Sequence, residues 1–149
     1  MNHPLYLEDL KEGQKFESRS YVITAEEIKS FASRYDPQPF HVDEKTAEST
    51  FFKSLVASGW HTASVTMRLM VESIPIAGGL IGAGTENLAW PKAVRPGDTL
   101  RVVTEVLSTR ASKSKPDRGL VRVRHSTFNQ HQQIVQTFIS TIMVPRRSA

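Results

Sequence analysis

The sequence predicts one α+β domain in which an antiparallel sheet packs against helices. In the first half of the chain, apolar residues recur at helical spacing, whereas in the second half apolar and polar residues alternate over long runs. With 149 residues the chain has about the length of one domain, so we assign residues 1–149 to a single domain. It contains no cysteine, which excludes disulfides, Cys-ligated metals and a thiol nucleophile.

Two helices are predicted in the first half. Thr24 with Glu27 three residues later forms a capping box, and the helix that follows should end before Pro37. A longer helix should begin near Ser58–Gly59 and end at Pro75. We expect it to bury an apolar face made of Ala63, Met67, Met70, Val71 and Ile74.

Strands are predicted on both sides of these helices. Alternating residues indicate three long antiparallel strands, around 100–107, 121–124 and 134–144. A short strand should cover 14–22, and 88–90 should end a further strand. The last four residues, 146–149, are expected to fray.

Charge and hydropathy restrict the classes of partner. The chain has 19 Lys and Arg against 15 Asp and Glu, a net charge of +4. This balance is too weak to indicate a nucleic-acid-binding protein, and it fits either simple solubility or an anionic ligand. The N-terminal segment has no apolar core of a signal peptide, and no run approaches 18 apolar residues, so we expect a soluble, cytoplasmic protein with no membrane association.

The segment from Asp36 to His41 is the first candidate for chemistry. It places a carboxylate and an imidazole five residues apart, with Pro37 and Pro39 between them to restrict the backbone. Such a pair can hold a water molecule and move protons as base and acid. The competing interpretation is structural: Asp before Pro often ends a helix, and a histidine beside Phe40 is often a core residue.

The second candidate is the start of the long helix at Gly59. A glycine lets a ligand approach the backbone, and the free N–H groups with the positive end of the helix dipole stabilise an oxyanion. Alternatively, Gly59 or Ser58 simply caps the helix.

Taken in order, these features resemble the MaoC-like dehydratases, which include the (R)-specific enoyl-CoA hydratases. The resemblance covers about 13–144 and includes the Asp36–His41 segment, the helix start at 57–62 and the Trp90-Pro91 and Arg95–Asp98 segments. It implies a hot-dog fold, in which the sheet wraps a long central helix. It also implies that the sheet pairs with that of a second copy, so we expect a homodimer or a higher homo-oligomer. It also implies reversible hydration of a trans-2-enoyl thioester to a (3R)-hydroxyacyl thioester.

The resemblance assigns catalytic roles to Asp36 as water-activating base, His41 as proton donor and Gly59 as N–H donor to the thioester oxygen. Further candidates for substrate binding are Ser58, Trp60, His61, Ser64 and Arg95. For Trp60 the simpler interpretation is packing, and for Arg95 it is a turn. We expect no metal and no cofactor beyond the coenzyme A of the substrate.

Alternatives remain open at this point. The same chemistry on an acyl-carrier-protein thioester fits the residues equally well. A hot-dog acyl-CoA thioesterase and an acyl-thioester-binding subunit of a heteromeric dehydratase are the other candidates, although neither needs a rigid Asp36–His41 pair.

Overall fold

The computed structural model describes residues 3–147. After a 3-10 turn at Leu7–Asp9, the elements follow in chain order. They are β1 (Lys15–Glu17), β2 (Tyr21–Val22), α1 (Ala25–Tyr35), α2 (Pro39–Val42), α3 (Glu44–Ala47), α4 (Gly59–Ser73), β3 (Ile81–Ala89), β4 (Thr99–Ala111), β5 (Arg118–Phe128) and β6 (Ile134–Pro145).

One antiparallel sheet organises the fold. Its strands run in the order β1-β4-β5-β6-β3, and β2 also pairs with β4. The three long strands predicted from alternation are β4, β5 and β6, and they occupy the middle of the sheet. Within the described residues, no helix has the length and apolar character needed to cross a membrane.

Helix α4 packs on one face of this sheet, as the predicted α+β class and the hot-dog architecture require. Leu69 is fully buried in a core with Leu100 of β4 and Val121 of β5. Polar contacts add to this packing, since the Thr66 and Thr127 hydroxyls lie 2.7 Å apart.

The predicted buried face of α4 was wrong in part. Met70 and Ile74 are buried, but Met67 and Val71 are each 50% exposed. The buried face instead includes polar residues, and its members are His61, Thr62, Val65, Thr66, Leu69 and Met70. Counting apolar residues favoured the outer face because three of the buried residues, His61, Thr62 and Thr66, are polar.

Other differences from the predictions concern short or glycine-rich segments. The predicted strand at 14–22 is two strands, β1 and β2. The first residues of β3, Ile81–Gly84, were not predicted to be a strand, because glycine is depleted in strands. Their pairing with β6 holds them in the strand. Pro39, which was expected to restrict the backbone, also begins α2. It occupies the first helical position, where a missing N–H costs nothing.

The C-terminal tail was expected to fray, and its described part is held in place. Arg146 pairs with Glu8, and Arg147 pairs with Asp9. Ser148 and Ala149, like Met1 and Asn2, lie outside the described residues.

Candidate active site

Three separate segments meet in a cleft of about 330 Å³ at the N-terminal end of α4. They are the end of α1 with α2, the residues that lead into α4, and the residues after β3. Their lining residues are Asp36, Gln38, Phe40, His41, Phe52, Val56, Ala57, Gly59, Trp60, Thr62, Trp90, Lys92, Ala93 and Val94. Asp36, His41 and Gly59, the predicted catalytic residues, are therefore brought together.

Local backbone structure positions the two acid–base candidates. The N–H of Asp36 donates to Ala32 and closes the last turn of α1, and a tight turn follows through Gln38. The N–H of His41 then donates to the Gln38 carbonyl. Helix α2 consequently starts at Pro39 and turns His41 back toward Asp36.

Backbone hydrogen bonds hold the segment before α4 against α2 on one side. The N–H of Val56 donates to the carbonyl of Phe40, and the N–H of Ala57 donates to the carbonyl of Val94. Ser58 and Gly59 therefore begin α4 beside the acid–base pair, with the chain near Val94 on the other side.

The Asp36 carboxylate is surrounded by donors. The Ser58 hydroxyl donates to Oδ2 (2.8 Å) and the Gln38 amide donates to Oδ1 (2.6 Å). Nε2 of His41 lies 3.3 Å from the same Oδ2. Partial burial raises the pKa of Asp36, but the hydrogen bonds from Gln38 and Ser58 and the nearby His41 together lower that pKa below its ordinary value. The carboxylate is therefore ionised at neutral pH.

The orientation of His41 follows from one backbone contact. Its ring is buried, with 5% of the residue exposed, and Nδ1 lies 2.6 Å from the carbonyl oxygen of Val56. Because a carbonyl only accepts, Nδ1 carries a proton and donates it. This leaves Nε2 as the ring nitrogen that faces Asp36.

Gly59 occupies the first turn of α4. Ser58 caps the helix through its side chain, which accepts from the N–H of Trp60. Among residues 3–147, the Gly59 N–H donates to no backbone carbonyl. This N–H at the positive end of a 15-residue helix is suited to an oxyanion.

The walls of the cleft are aromatic on two sides. Phe40 packs edge-on against His41 and against Phe52 on one side. On the other side Trp60 and Trp90 meet edge-to-face, with ring centroids 5.3 Å apart. Lys92 is exposed and supplies a positive charge to the lining. The site thus combines a flat apolar slot with an acid–base pair and a cation.

The candidates for substrate binding occupy different places. Trp60 lines the cleft. Ser58 is fully buried beneath it, where it supports Asp36 and caps α4 instead of facing a ligand. Ser64 bonds to the carbonyl of Trp60 on the exposed side of α4. The Arg95 guanidinium donates to the Phe52 carbonyl and to the Ser54 hydroxyl, so it holds the 52–54 turn. Neither Ser64 nor Arg95 belongs to the cleft lining.

His61 faces away from the cleft. It stacks on Phe31 at 4.8 Å and borders a separate surface groove along α1. Its Nδ1 has no hydrogen-bond partner within the described residues, and burial lowers the pKa of its imidazole. A neutral packed ring is consistent with this environment.

Sequence reasoning did not single out Gln38, Phe52, Trp90 or Lys92 as residues of the site. Gln38 lies in the Asp36–His41 segment. Its amide, which can donate to the Asp36 carboxylate, was the signal that could have identified it. For Trp90 the sequence favours packing, and no sequence pattern shows its contact with Gly59. Within residues 3–147, no group of three His, Asp or Glu side chains is arranged to hold a metal ion.

Comparison with known proteins gives a consistent set of relatives. A family model described as MaoC like domain matches residues 9–129. The chain is 30% identical over 143 residues to the (R)-specific enoyl-CoA hydratase of Rhodospirillum rubrum, covering 95% of this chain and 93% of that protein. It is 34% identical over 128 residues to the uncharacterized protein YdeM of Bacillus subtilis, covering 85% and 89% of the two chains.

Among solved structures, the chain is similar to the MaoC-like dehydratase from Rhodospirillum rubrum. The two superpose with a TM-score of 0.93 at 49% sequence identity, over 97% of this chain and 99% of that one. The whole domain therefore has the same architecture, including the elements that form the cleft.

Proposed function

The chain belongs to the MaoC-like domain family, and from this premise we propose that it hydrates trans-2-enoyl thioesters to (3R)-hydroxyacyl thioesters and catalyses the reverse dehydration. The observation that carries the proposal is the pairing of an ionised Asp36 with Nε2 of His41 at 3.3 Å in an aromatic cleft. The similarity to the (R)-specific hydratase supports the reaction type.

In the proposed reaction, Asp36 and His41 divide the proton transfers. Asp36 takes a proton from a water molecule as the water oxygen bonds to Cβ of the enoyl group. The electron pair of the double bond shifts toward the thioester and forms an enolate. The proton on Asp36 passes across 3.3 Å to Nε2 of His41, and Nε2–H then protonates Cα, which restores both groups.

Gly59 is proposed to stabilise the enolate oxygen. Its N–H donates to no backbone carbonyl within the described residues and has the dipole of α4 behind it. Loss of a single such donor typically costs about 2.7–4 kcal/mol of barrier stabilisation. This contribution does not require a titratable group, so it should be the same across the working pH range.

The acyl carrier is proposed to be coenzyme A, with acyl-carrier protein as the alternative that the test separates. Lys92 places a cation in the cleft lining, where it suits a phosphate-bearing thioester. We also propose association of two copies, because the exposed outer face of α4 carries Met67 and Val71 and the edge strand β3 is exposed along its length.

The experiment is a hydration assay of the purified full chain with crotonyl-CoA. Loss of the conjugated enoyl absorbance should occur without release of free thiol, and chiral analysis should give the (3R) product. Asp36→Asn should reduce kcat/KM by about 10²–10⁴-fold, because it removes the base but keeps the shape. Asp117→Asn is the matched control, since Asp117 is an exposed carboxylate paired with Arg118 at the β4–β5 hairpin.

Each alternative has its own outcome. Thiol release matching the absorbance loss indicates a thioesterase. Full activity of Asp36→Asn contradicts the assigned chemistry. Hydration of a crotonyl carrier-protein thioester but not of crotonyl-CoA would show that the carrier is acyl-carrier protein. The proposed reaction would be unchanged.

A further inference from the structure

Trp90 lies directly against Gly59. A Cβ atom added to Gly59 would stand 2.6–2.9 Å from three atoms of the Trp90 indole ring, which is closer than real contacts allow. The ring therefore touches the Gly59 backbone in the cleft, next to the N–H that the proposed function assigns to the thioester oxygen. An acyl chain bound at Gly59 meets this ring first.

The position of Trp90 is set by a bulge in β3. The pairing of β3 with β6 shifts by one residue between Glu86 and Ala89, where Asn87 has a positive φ of 56°. Continued from the pair Ala89–Thr137, this register sets Trp90 opposite Gln136. If the same residues paired regularly from Glu86, with no bulge, Trp90 would lie opposite Val135 and its side chain would belong to the other face of the sheet.

Gln136 holds the ring in this place. Its side chain is fully buried, and its Oε1 accepts from the indole Nε1 of Trp90 at 2.8 Å. The Nε2 of the same amide has no partner within residues 3–147. A buried amide whose NH₂ group has no partner is unusual. Its carbonyl oxygen is the atom that holds Trp90. Gln136 is not part of the cleft lining, so it acts through Trp90.

Polar groups occupy the space behind the ring. Gln136 is the cross-strand partner of Thr127, whose hydroxyl bonds to that of Thr66 on α4. A long alkyl chain that pushed past Trp90 would meet these groups and break the indole–amide hydrogen bond. Extra methylenes therefore gain little burial energy in this direction and disturb a satisfied contact.

We propose that Trp90, positioned by Gln136, is the specificity-determining wall that restricts this site to short acyl chains. The inference rests on the proposed function, since it assumes that the acyl group lies beside Gly59. Trp90 acts by excluding volume, and Gln136 is a positioning residue that keeps the wall closed.

The test compares kcat/KM for crotonyl-, hexenoyl- and octenoyl-CoA in wild type, Trp90→Ala, Trp90→Phe and Gln136→Met. Wild type should prefer crotonyl- over octenoyl-CoA by at least about tenfold. Trp90→Ala should move this ratio toward octenoyl-CoA by about tenfold or more, and Trp90→Phe should move it by less. Gln136→Met, which keeps side-chain length but loses the acceptor, should shift the ratio in the same direction by about threefold.

Phe51→Ala is the control, because Phe51 is an exposed aromatic residue outside the cleft lining. The ratio between two substrates is unaffected by a loss of folded protein, so it separates specificity from stability. If Trp90→Ala does not fold, the same ratio in Trp90→Phe and Gln136→Met decides.

The outcomes distinguish this inference from the function beneath it. A wild type that hydrates none of the three thioesters contradicts the proposed function. If wild type hydrates octenoyl-CoA and crotonyl-CoA with equal kcat/KM, the proposal that Trp90 restricts chain length is wrong. The proposed function is then unaffected. An unchanged ratio in the folded Trp90 and Gln136 variants also overturns the proposal for Trp90.

Discussion

His41 and His125 are both buried, and each has a polar partner at both ring nitrogens. The two histidines differ in the charge of those partners. Nδ1 of His41 donates to a backbone carbonyl, and its Nε2 faces the ionised Asp36 at the cleft. His125 is 1% exposed, with Nδ1 2.8 Å from the Thr104 hydroxyl and Nε2 2.9 Å from the Ser140 hydroxyl.

The difference shows what a buried histidine needs in order to exchange protons. His125 has neutral partners on both nitrogens and no carboxylate beside it, so burial lowers its pKa to about 4. His41 has one nitrogen fixed and the other beside a negative charge at a cleft that admits a ligand. Burial therefore does not separate the two histidines, and the unequal partners of its ring nitrogens identify His41 as the catalytic candidate.

The largest effect is expected from exchanging each histidine in turn for glutamine. His41→Gln should lower kcat/KM for enoyl thioester hydration by about 10²–10⁴-fold, because glutamine cannot deliver a proton. His125→Gln should leave kcat/KM within about threefold, since its ring contacts two hydroxyls and is not part of the cleft lining. Equal losses in the two variants would remove the distinction between them.

Stability should respond to pH through His125. Its pKa of about 4 in the folded chain lies below the ordinary 6.5, so the unfolded chain binds the extra proton first. The neutral-His contribution is fully present above about 6.5 and is lost as pH falls toward about 4, by about 3 kcal/mol in total. Thermal unfolding at pH 7.5 and pH 5 should show a smaller drop in His125→Gln than in wild type.

The exposed His131 gives the matched control for this measurement, and His131→Gln should follow the wild-type curve. Parallel losses in wild type and His125→Gln would show that other groups, and not His125, govern the acid limb.

Ser58→Ala should have a smaller effect on both activity and stability. The hydroxyl supports the ionised Asp36 and also caps α4. Its loss should raise the pKa of Asp36, lower kcat/KM about tenfold and destabilise the fold by about 1 kcal/mol. Ser64→Ala on the same helix should do neither, because in the described part of the chain its hydroxyl bonds only to the carbonyl of Trp60. Chemical denaturation and a pH–rate profile measure the two parts separately.

The smallest effect is expected at Lys92, where the His41 cleft meets solvent. Lys92→Met should raise KM for an acyl-CoA by a few-fold with little change in kcat, and added salt should reduce the difference. Lys113→Met, in the exposed loop between β4 and β5, serves as the control. A change in kcat alone would place Lys92 in the chemistry and not in carrier binding.

Much of this organisation was accessible from the sequence, because it depends on local signals. The Thr24 cap, the alternation in β4 to β6 and the Asp36–His41 spacing each reflect physics that acts within a few residues. The wall formed by Trp90 did not emerge in this way, because it requires a bulge in β3 and a partner on β6 that lies 46 residues later. The buried face of α4 was misassigned for a related reason, since the buried Thr66 pairs with the Thr127 hydroxyl of β5, 61 residues later.

The bulge at Asn87 means that the face of the sheet on which Trp90 lies depends on local pairing as well as on composition. Removing one residue between Glu86 and Ala89 would convert the bulge into regular pairing and leave Trp90 opposite Gln136. Regular pairing at the present length of β3 would instead carry Trp90 to the opposite face and remove the wall beside Gly59, without any change in the acid–base pair. The same wall is thus compatible with two lengths of β3, so a shorter strand in a related chain need not mean a different acyl group.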